Sequence, residues 1–120
     1  MNKKISRFLA ETAPETPCLV MDLDVVAKAY DMLRRYLPLA TVYYAVKANP
    51  ALEIVKMLAK RGSSFDVASP AEIALCLDCG ATPERLSFGN TIKKERDIAF
   101  AYEAGEIGRA SCRERVYVLV

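Results

Sequence analysis

A lysine at the end of an apolar run is the residue with the clearest potential for chemistry in this sequence. Lys47 directly follows Thr41-Val-Tyr-Tyr-Ala-Val46, the most strand-like stretch of the chain. An amine that is removed from water favours its neutral form, which is the nucleophile that condenses with a carbonyl group. The simpler alternative is a strand-end lysine that extends its amine into solvent, and position by itself favours that role.

Two further polar sets also follow apolar runs. Asp66 and Ser69 come at the end of one run, and Asn90 and Thr91 come just after another. If the runs are parallel strands, both sets share one end of the sheet with Lys47. That is the end where α/β barrels carry their catalytic groups.

The elements that must position these residues alternate along the chain. Apolar runs at 18–22, 41–46, 64–68 and 85–88 predict strands, and helical periodicity predicts helices at about 25–37, 51–60, 70–79 and 93–104. The ends of three predicted strands, Val46, Val67 and Phe88, follow one another at intervals of 21 residues. Equal βα repeats favour a partial (β/α)8 barrel over a doubly wound sheet, which stays open as the alternative. A complete barrel needs roughly 250 residues, so we expect an N-terminal piece holding the first three or so units.

Helix starts are indicated by capping residues. Asp22 or Asp24 is suited to cap the first of these helices, and Asn49 with Pro50 to open the second. The segment Ser69-Pro-Ala-Glu72 combines a capping box with proline at the first helical position, and so predicts the start of the third.

Composition limits the function classes. The 120 residues suffice for one domain, and 17 Lys and Arg against 15 Asp and Glu leave a net charge of +2. The basic residues are scattered rather than clustered, so neither a nucleic-acid nor an anionic membrane partner is expected. No apolar run reaches the roughly 20 residues that span a bilayer, and the first ten residues make a poor signal peptide. We therefore expect a cytoplasmic protein.

The four cysteines do not indicate a metal site. The chain contains no histidine, and structural zinc sites usually combine closely spaced Cys and His residues. Cys76 and Cys79 have the spacing of a redox motif, but they fall late in a predicted helix, where the helix dipole disfavours a thiolate. We expect buried, reduced cysteines and no metal.

Two motifs together resemble a known family. They are Tyr44-Ala-Val-Lys-Ala-Asn-Pro50 and Phe65-Asp-Val-Ala-Ser69, followed by Glu72. The pattern is similar to the pyridoxal-phosphate-dependent decarboxylases of the alanine-racemase-like fold. Within this family, the ornithine/lysine branch is the most similar, on two further segments: Ser87-Phe-Gly-Asn-Thr-Ile-Lys-Lys94 and Thr16-Pro-Cys-Leu-Val-Met-Asp22. The resemblance covers residues 5 to about 105.

The resemblance implies a role for each matching residue. Lys47 matches the lysine that binds pyridoxal 5'-phosphate covalently, and Ala45 a small residue beside the cofactor. Asp66 and Glu72 match acidic residues lining the site, although Asp66 also suits a turn and Glu72 the capping box. The implied function is decarboxylation of a small basic amino acid, ornithine or lysine, to a diamine for polyamine synthesis, in a homodimer. The phosphate cradle and other site residues of the family lie further along in relatives, so we expect this chain itself to be inactive.

Other functions within the same resemblance remain open. A diaminopimelate decarboxylase or an amino-acid racemase of the same fold would use Lys47 equally, although the Phe88-Gly-Asn-Thr-Ile-Lys-Lys94 run argues against both. A non-catalytic regulatory homologue is the third alternative, and the presence of the lysine argues against it.

The C-terminal residues do not continue the pattern. Glu106-Ile-Gly-Arg-Ala-Ser-Cys-Arg-Glu-Arg-Val116 lacks apolar alternation and resembles a translated sequencing adapter. We therefore divide the chain into an N-terminal arm (1–16), a truncated pyridoxal-phosphate-binding barrel domain (17–105) and a probable non-native tail (106–120).

Overall fold

The chain folds as helices packed on a parallel β-sheet. The computed structural model describes residues 2–89, 94–105 and 118–119. In this part of the chain none of the helices has the length and apolar character needed to cross a bilayer. The strands are β1 (Val42–Ala45), β2 (Ser64–Val67), β3 (Leu86–Phe88) and β4 (Val118–Leu119). The α-helices are α1 (Lys3–Thr12), α2 (Leu23–Tyr36), α3 (Leu52–Lys60), α4 (Pro70–Asp78) and α5 (Glu95–Glu103). Two 3-10 turns lie at Val46–Ala48 and Pro83–Arg85.

The sheet has the strand order β3-β2-β1-β4, and all its pairs are parallel. Helix α3 connects β1 to β2, and α4 connects β2 to β3. Parallel neighbours joined by a helix are βα units, which confirms the predicted alternation. The outer edge of β1 pairs with β4, where Val42 lies opposite Val118 and Tyr43 opposite Leu119.

One face of the sheet forms the core with the helices. Side chains alternate between the two faces of a strand, and the apolar set faces α3 and α4. Burial of this face supplies the main apolar contribution to stability. The buried residues in contact there include Val42, Phe65, Val67, Leu86 and Phe88 from the sheet and Ile54, Val55, Leu58, Ile73 and Cys76 from the helices.

The opposite face has small and polar residues. By the same alternation, β1 contributes Tyr43 and Ala45, β2 contributes Ser64 and Asp66, and β3 contributes Ser87. None of these five belongs to the apolar core cluster. This face is therefore the one that can be used for chemistry.

Two of the three predicted helix starts are confirmed. The side chain of Asp22 accepts a hydrogen bond from the Asp24 amide at the start of α2, and that of Ser69 accepts one from the Glu72 amide at the start of α4. The prediction for α3 was wrong by two residues, because its N-cap is Ala51. Asn49 adopts extended backbone, and its side chain accepts a hydrogen bond from the Ala51 amide at 3.1 Å.

The predicted strand at 18–22 was also wrong. These residues have no regular secondary structure, and Leu19 is 82% exposed. A strand requires a partner for its backbone amides and carbonyls, and no described strand pairs with this segment. Its last residue instead caps α2 and accepts hydrogen bonds from Asn2 and Lys4 of the N-terminal arm.

Candidate active site

Lys47 lies at the carboxyl end of β1, as predicted, but not on the strand itself. The strand ends at Ala45, and Lys47 is the middle residue of the 3-10 turn Val46–Ala48. Of the two arrangements considered for its side chain, the exposed one that its position favours is observed, because the turn carries Lys47 off the sheet. Within the described residues, the Lys47 amine has neither a hydrogen bond nor an ion pair.

The turn that carries Lys47 is held at both ends. The hydroxyl of Tyr44 donates a hydrogen bond to the Asn49 carbonyl at 3.0 Å, which spans the turn. The Asn49 side chain in turn accepts from the Ala51 amide, just before α3. Burial raises the pKa of the Tyr44 hydroxyl, so it keeps its proton and remains a donor. The Lys47 turn is thereby tied to both β1 and α3.

The ring of Tyr44 is itself fixed by β2. It meets the Phe65 ring edge to face, with centroids 6.4 Å apart and an interplanar angle of 86°. Phe65 is fully buried. The Tyr44 hydroxyl is therefore positioned by a contact with the core rather than by solvent-exposed side chains.

Ala45, Asp66 and Ser87 lie at one level of the sheet. Ala45 pairs with Asp66, and Asp66 with Ser87, so their side chains share the small and polar face. Ala45 is buried, whereas Asp66 and Ser87 are half-buried. The structure thus brings together two of the predicted site residues, Ala45 and Asp66, at the end of the sheet from which the Lys47 turn projects.

Gly89 is a residue of this site that the sequence analysis missed. A side-chain carbon at position 89 would lie 3.1 Å from Cγ of Asp66, and closer still to Oδ1. The Gly89 amide donates to the Val67 carbonyl at 3.1 Å, so its backbone extends the β3 pairing and is held in place. The available signal was a glycine directly after an apolar run, which often marks a close approach to a neighbouring group.

Glu72 has a structural role at the start of α4. Its backbone amide donates to Ser69 Oγ at 3.3 Å, and its carboxylate accepts from the Ala68 amide at 2.7 Å. The capping interaction predicted for Ser69 and Glu72 is therefore confirmed, with the carboxylate reaching one residue further back than in a standard capping box. A role for Glu72 toward the cofactor stays a prediction.

The other predicted polar and cysteine residues fall into two groups. Asn90, Thr91 and Cys112 lie outside the described residues. Cys76 and Cys79 are buried and reduced, as expected, but Cys18 is exposed, so the expectation of burial was wrong for it. In the described part of the chain, no three His, Cys, Asp or Glu side chains are grouped as metal ligands would be.

The arrangement has the features that a pyridoxal site needs from this part of a barrel. An exposed primary amine stands just after the end of a central strand, and the last residue of that strand, Ala45, carries only a methyl group. Asp66 supplies a carboxylate at the level of Ala45. An amine, a small side chain and a carboxylate therefore occur together at this end of the sheet, and these residue types fit pyridoxal 5'-phosphate.

Comparison with known proteins identifies the family. Residues 23–112 match the family described as "Pyridoxal-dependent decarboxylase, pyridoxal binding domain". The lysine/ornithine decarboxylase of Selenomonas ruminantium is 41% identical over 101 residues, which are 84% of this chain and 25% of that protein. The chloroplastic ornithine decarboxylase of Nicotiana glutinosa is 42% identical over 89 residues, which are 74% of this chain and 21% of that protein.

The fold agrees with a solved structure. The crystal structure of lysine decarboxylase from Selenomonas ruminantium superposes with a TM-score of 0.77 and 38% identity, covering 88% of this chain and 28% of that one. This similarity confirms the predicted partial (β/α)8 barrel. The chain spans about a quarter of the length of the curated relatives named above. From the match over residues 23–112 and the identity with these relatives, we conclude that this chain belongs to the pyridoxal-dependent decarboxylases, within their pyridoxal-binding domain.

Proposed function

We propose that the protein to which this chain belongs converts a basic amino acid, ornithine or lysine, to a diamine for polyamine synthesis. The observation that carries the proposal is the position of Lys47, on a braced turn at the end of β1 in a pyridoxal-binding domain. The similarity to a lysine/ornithine decarboxylase supports the substrate class. A homodimer in the cytoplasm, with no nucleic-acid or membrane partner, forms part of the same proposal.

Each residue of the site has a task that its chemistry allows. Pyridoxal 5'-phosphate supplies an aldehyde and a ring that accepts electrons when the substrate loses its carboxylate. Lys47 would hold the cofactor through its amine, which must be neutral to act as a nucleophile. Ala45 would limit crowding next to the amine-bearing turn, because its methyl group is the smallest side chain after glycine.

Asp66 adds negative charge to the same face. Its carboxylate lies level with Ala45 on the adjacent strand and is half-buried. A carboxylate accepts hydrogen bonds from protonated amines more strongly than a neutral group does. Asp66 would therefore attract a cationic amine to this end of the sheet, which suits a basic amino acid.

Covalent trapping tests the assignment of Lys47. The chain is incubated with pyridoxal 5'-phosphate, treated with borohydride and mapped by peptide mass spectrometry. We expect attachment at Lys47 above that at Lys56, an exposed lysine of α3. Lys47→Ala should abolish the main adduct and Lys56→Ala should leave it intact. Equal labelling of the two lysines in the unmodified chain would overturn the assignment.

Activity is tested in the parent protein. We expect the full-length protein to release a diamine from ornithine or lysine, and the 120-residue chain to release none. A full-length protein that binds no pyridoxal 5'-phosphate would favour the non-catalytic alternative instead. Diamine production by the purified chain would contradict the expected inactivity.

A further inference from the structure

The turn bearing Lys47 is short and mostly exposed. Its three residues form one 3-10 turn without a side-chain cap, and Lys47 and Ala48 are exposed. Only Val46 is buried there. Short 3-10 turns have poorer hydrogen-bond geometry than α-helices, so they need support from neighbouring groups to hold one conformation.

Part of that support is a side-chain hydrogen bond that spans the turn. The Tyr44 hydroxyl reaches over the turn to the Asn49 carbonyl, at 3.0 Å. Tyr44 is the penultimate residue of β1, and Asn49 directly follows the turn. The bond therefore fixes the distance between the two ends of the loop from which the amine projects.

The anchors of this bond are rigid on both sides. The Tyr44 ring packs edge to face on fully buried Phe65, and the Asn49 side chain is tied to the Ala51 amide. A hydrogen bond between two fixed groups restricts what lies between them, and here that is Lys47. A turn held in this way restricts the backbone position from which the Lys47 side chain extends, and so lowers the entropy lost when the amine is fixed in a covalent bond.

We infer that Tyr44 is a positioning residue for Lys47, acting through its hydroxyl on the turn and not by contact with cofactor or substrate. The inference rests on the proposed role of Lys47 and extends it to the residue that determines how the lysine is presented. The ring of Tyr44 packs against the core, whereas its hydroxyl holds the turn that carries Lys47. The two contributions are separable, because phenylalanine retains the ring and lacks only the hydroxyl.

Hydrogen exchange tests the brace without any cofactor. In Tyr44→Phe, the amides of residues 46–49 and 51 should exchange about three- to tenfold faster, the change expected from losing one hydrogen bond. Residues 70–78 of α4 serve as the internal reference and should keep their protection. Tyr36→Phe is the matched control, because it removes a hydroxyl from a tyrosine that is 72% exposed. Unchanged exchange at these amides of the turn in Tyr44→Phe would overturn the inference.

The second measurement is the ratio of pyridoxal attachment at Lys47 to that at Lys56, after borohydride reduction. Tyr44→Phe should lower this ratio about three- to tenfold, in step with the looser turn, while Tyr36→Phe leaves it unchanged. A ratio in Tyr44→Phe equal to that of the unmodified chain would contradict a positioning role. Failure of the unmodified chain to label Lys47 selectively would count against the proposed function, and the exchange experiment would still decide whether Tyr44 holds the turn.

Discussion

Gly89 and Asp66 are in closer contact than any side chain at position 89 would allow. A β-carbon on residue 89 would lie 3.1 Å from the Asp66 carboxyl carbon and 3.3 Å from Oδ2, with Oδ1 nearer still. Both backbones are held by the sheet, Gly89 through the Val67 carbonyl and Asp66 through its register with Ala45 and Ser87. The absence of a side chain at position 89 therefore determines where the Asp66 carboxylate can lie.

Gly89→Ala should accordingly displace the carboxylate of Asp66. We expect a loss of about 0.5–1.5 kcal/mol in the free energy of unfolding, the cost of moving a side chain away from its preferred rotamer. In an Asp66→Ala background the same substitution should cost less, because the group it meets has been removed. Denaturant unfolding of the four proteins in this double-mutant cycle measures the coupling. Equal costs in the two backgrounds would show that the contact has no energetic consequence.

Arg85, directly before β3, binds two backbone carbonyls at the connection between α3 and β2. Its guanidinium donates to the Ser63 carbonyl through Nε at 2.8 Å and to the Ala59 carbonyl at 3.0 Å. Ala59 belongs to the last turn of α3, whose carbonyls have no partner within the helix. Arg85→Ala should lower the free energy of unfolding by about 1.5–3 kcal/mol, the range for hydrogen bonds to a charged group.

A graded series makes the Arg85 prediction specific. Arg85→Lys keeps the charge but cannot span both carbonyls with a planar fork, so its unfolding free energy should fall between those of the other two proteins. Arg35→Ala, at an exposed position of α2, is the control and should have little effect. Thermal or denaturant unfolding provides the comparison. If Arg85→Ala lowered the free energy of unfolding no more than Arg35→Ala does, the bridging role of Arg85 would be refuted.

The order of elements was predictable because it depends on local patterns. Strong periodicity in α3 and the Ser69-Pro70 start of α4 are properties of consecutive residues, and both helices formed close to the predicted bounds. The strand at 18–22 failed because strand formation depends on a distant partner, which no local pattern reveals. Helix α1 was missed although Asn2 caps it, since none of its residues is buried and the apolar signal is short.

The site was predictable in position but not in contacts. The lysine and the carboxylate could be placed at one end of the sheet from strand ends alone. The Tyr44 hydroxyl bond and the Gly89 contact both depend on side-chain directions across the sheet. Exposure of Lys47 agrees with its position at a strand end, but the 3-10 turn that carries it was not predicted, because the strand was expected to continue through Val46, whereas it ends one residue earlier.

A substitution at Ala45 tests whether pyridoxal attachment requires a small side chain beside the Lys47 turn. Its side chain lies on the small and polar face, level with Asp66. Ala45→Leu should obstruct access to the turn and lower pyridoxal attachment at Lys47 about tenfold or more, a loss of roughly 1.4 kcal/mol in binding. Ala29→Leu, on the exposed side of α2, is the matched control. Circular dichroism should show both variants folded. Full attachment in a folded Ala45→Leu chain would remove Ala45 from the site.

The cysteines should differ sharply in reactivity because burial differs among them. Cys18 is exposed, whereas burial, with smaller contributions from neighbouring Cys79 and Glu72, raises the pKa of Cys76 to about 12. The thiolate is the reactive form, so at pH 8 an alkylating reagent should modify Cys18 and leave Cys76 unmodified until the protein unfolds. Peptide mapping after timed alkylation measures this, with Cys18→Ser as the control that removes the fast-reacting residue.

The same raised pKa predicts a pH dependence of stability. Unfolding returns the Cys76 thiol to its ordinary pKa of about 8.5, so above that pH the unfolded chain loses a proton that the folded chain retains. The contribution of Cys76 to stability is therefore complete below about pH 8.5 and declines as the pH rises toward 12. Cys76→Ala, although less stable at neutral pH because it leaves a cavity, should lose less stability between pH 8 and pH 10 than the unmodified chain. If the free energies of unfolding of the two proteins fell in parallel as the pH rises, burial would not raise the pKa of the Cys76 thiol in the folded protein.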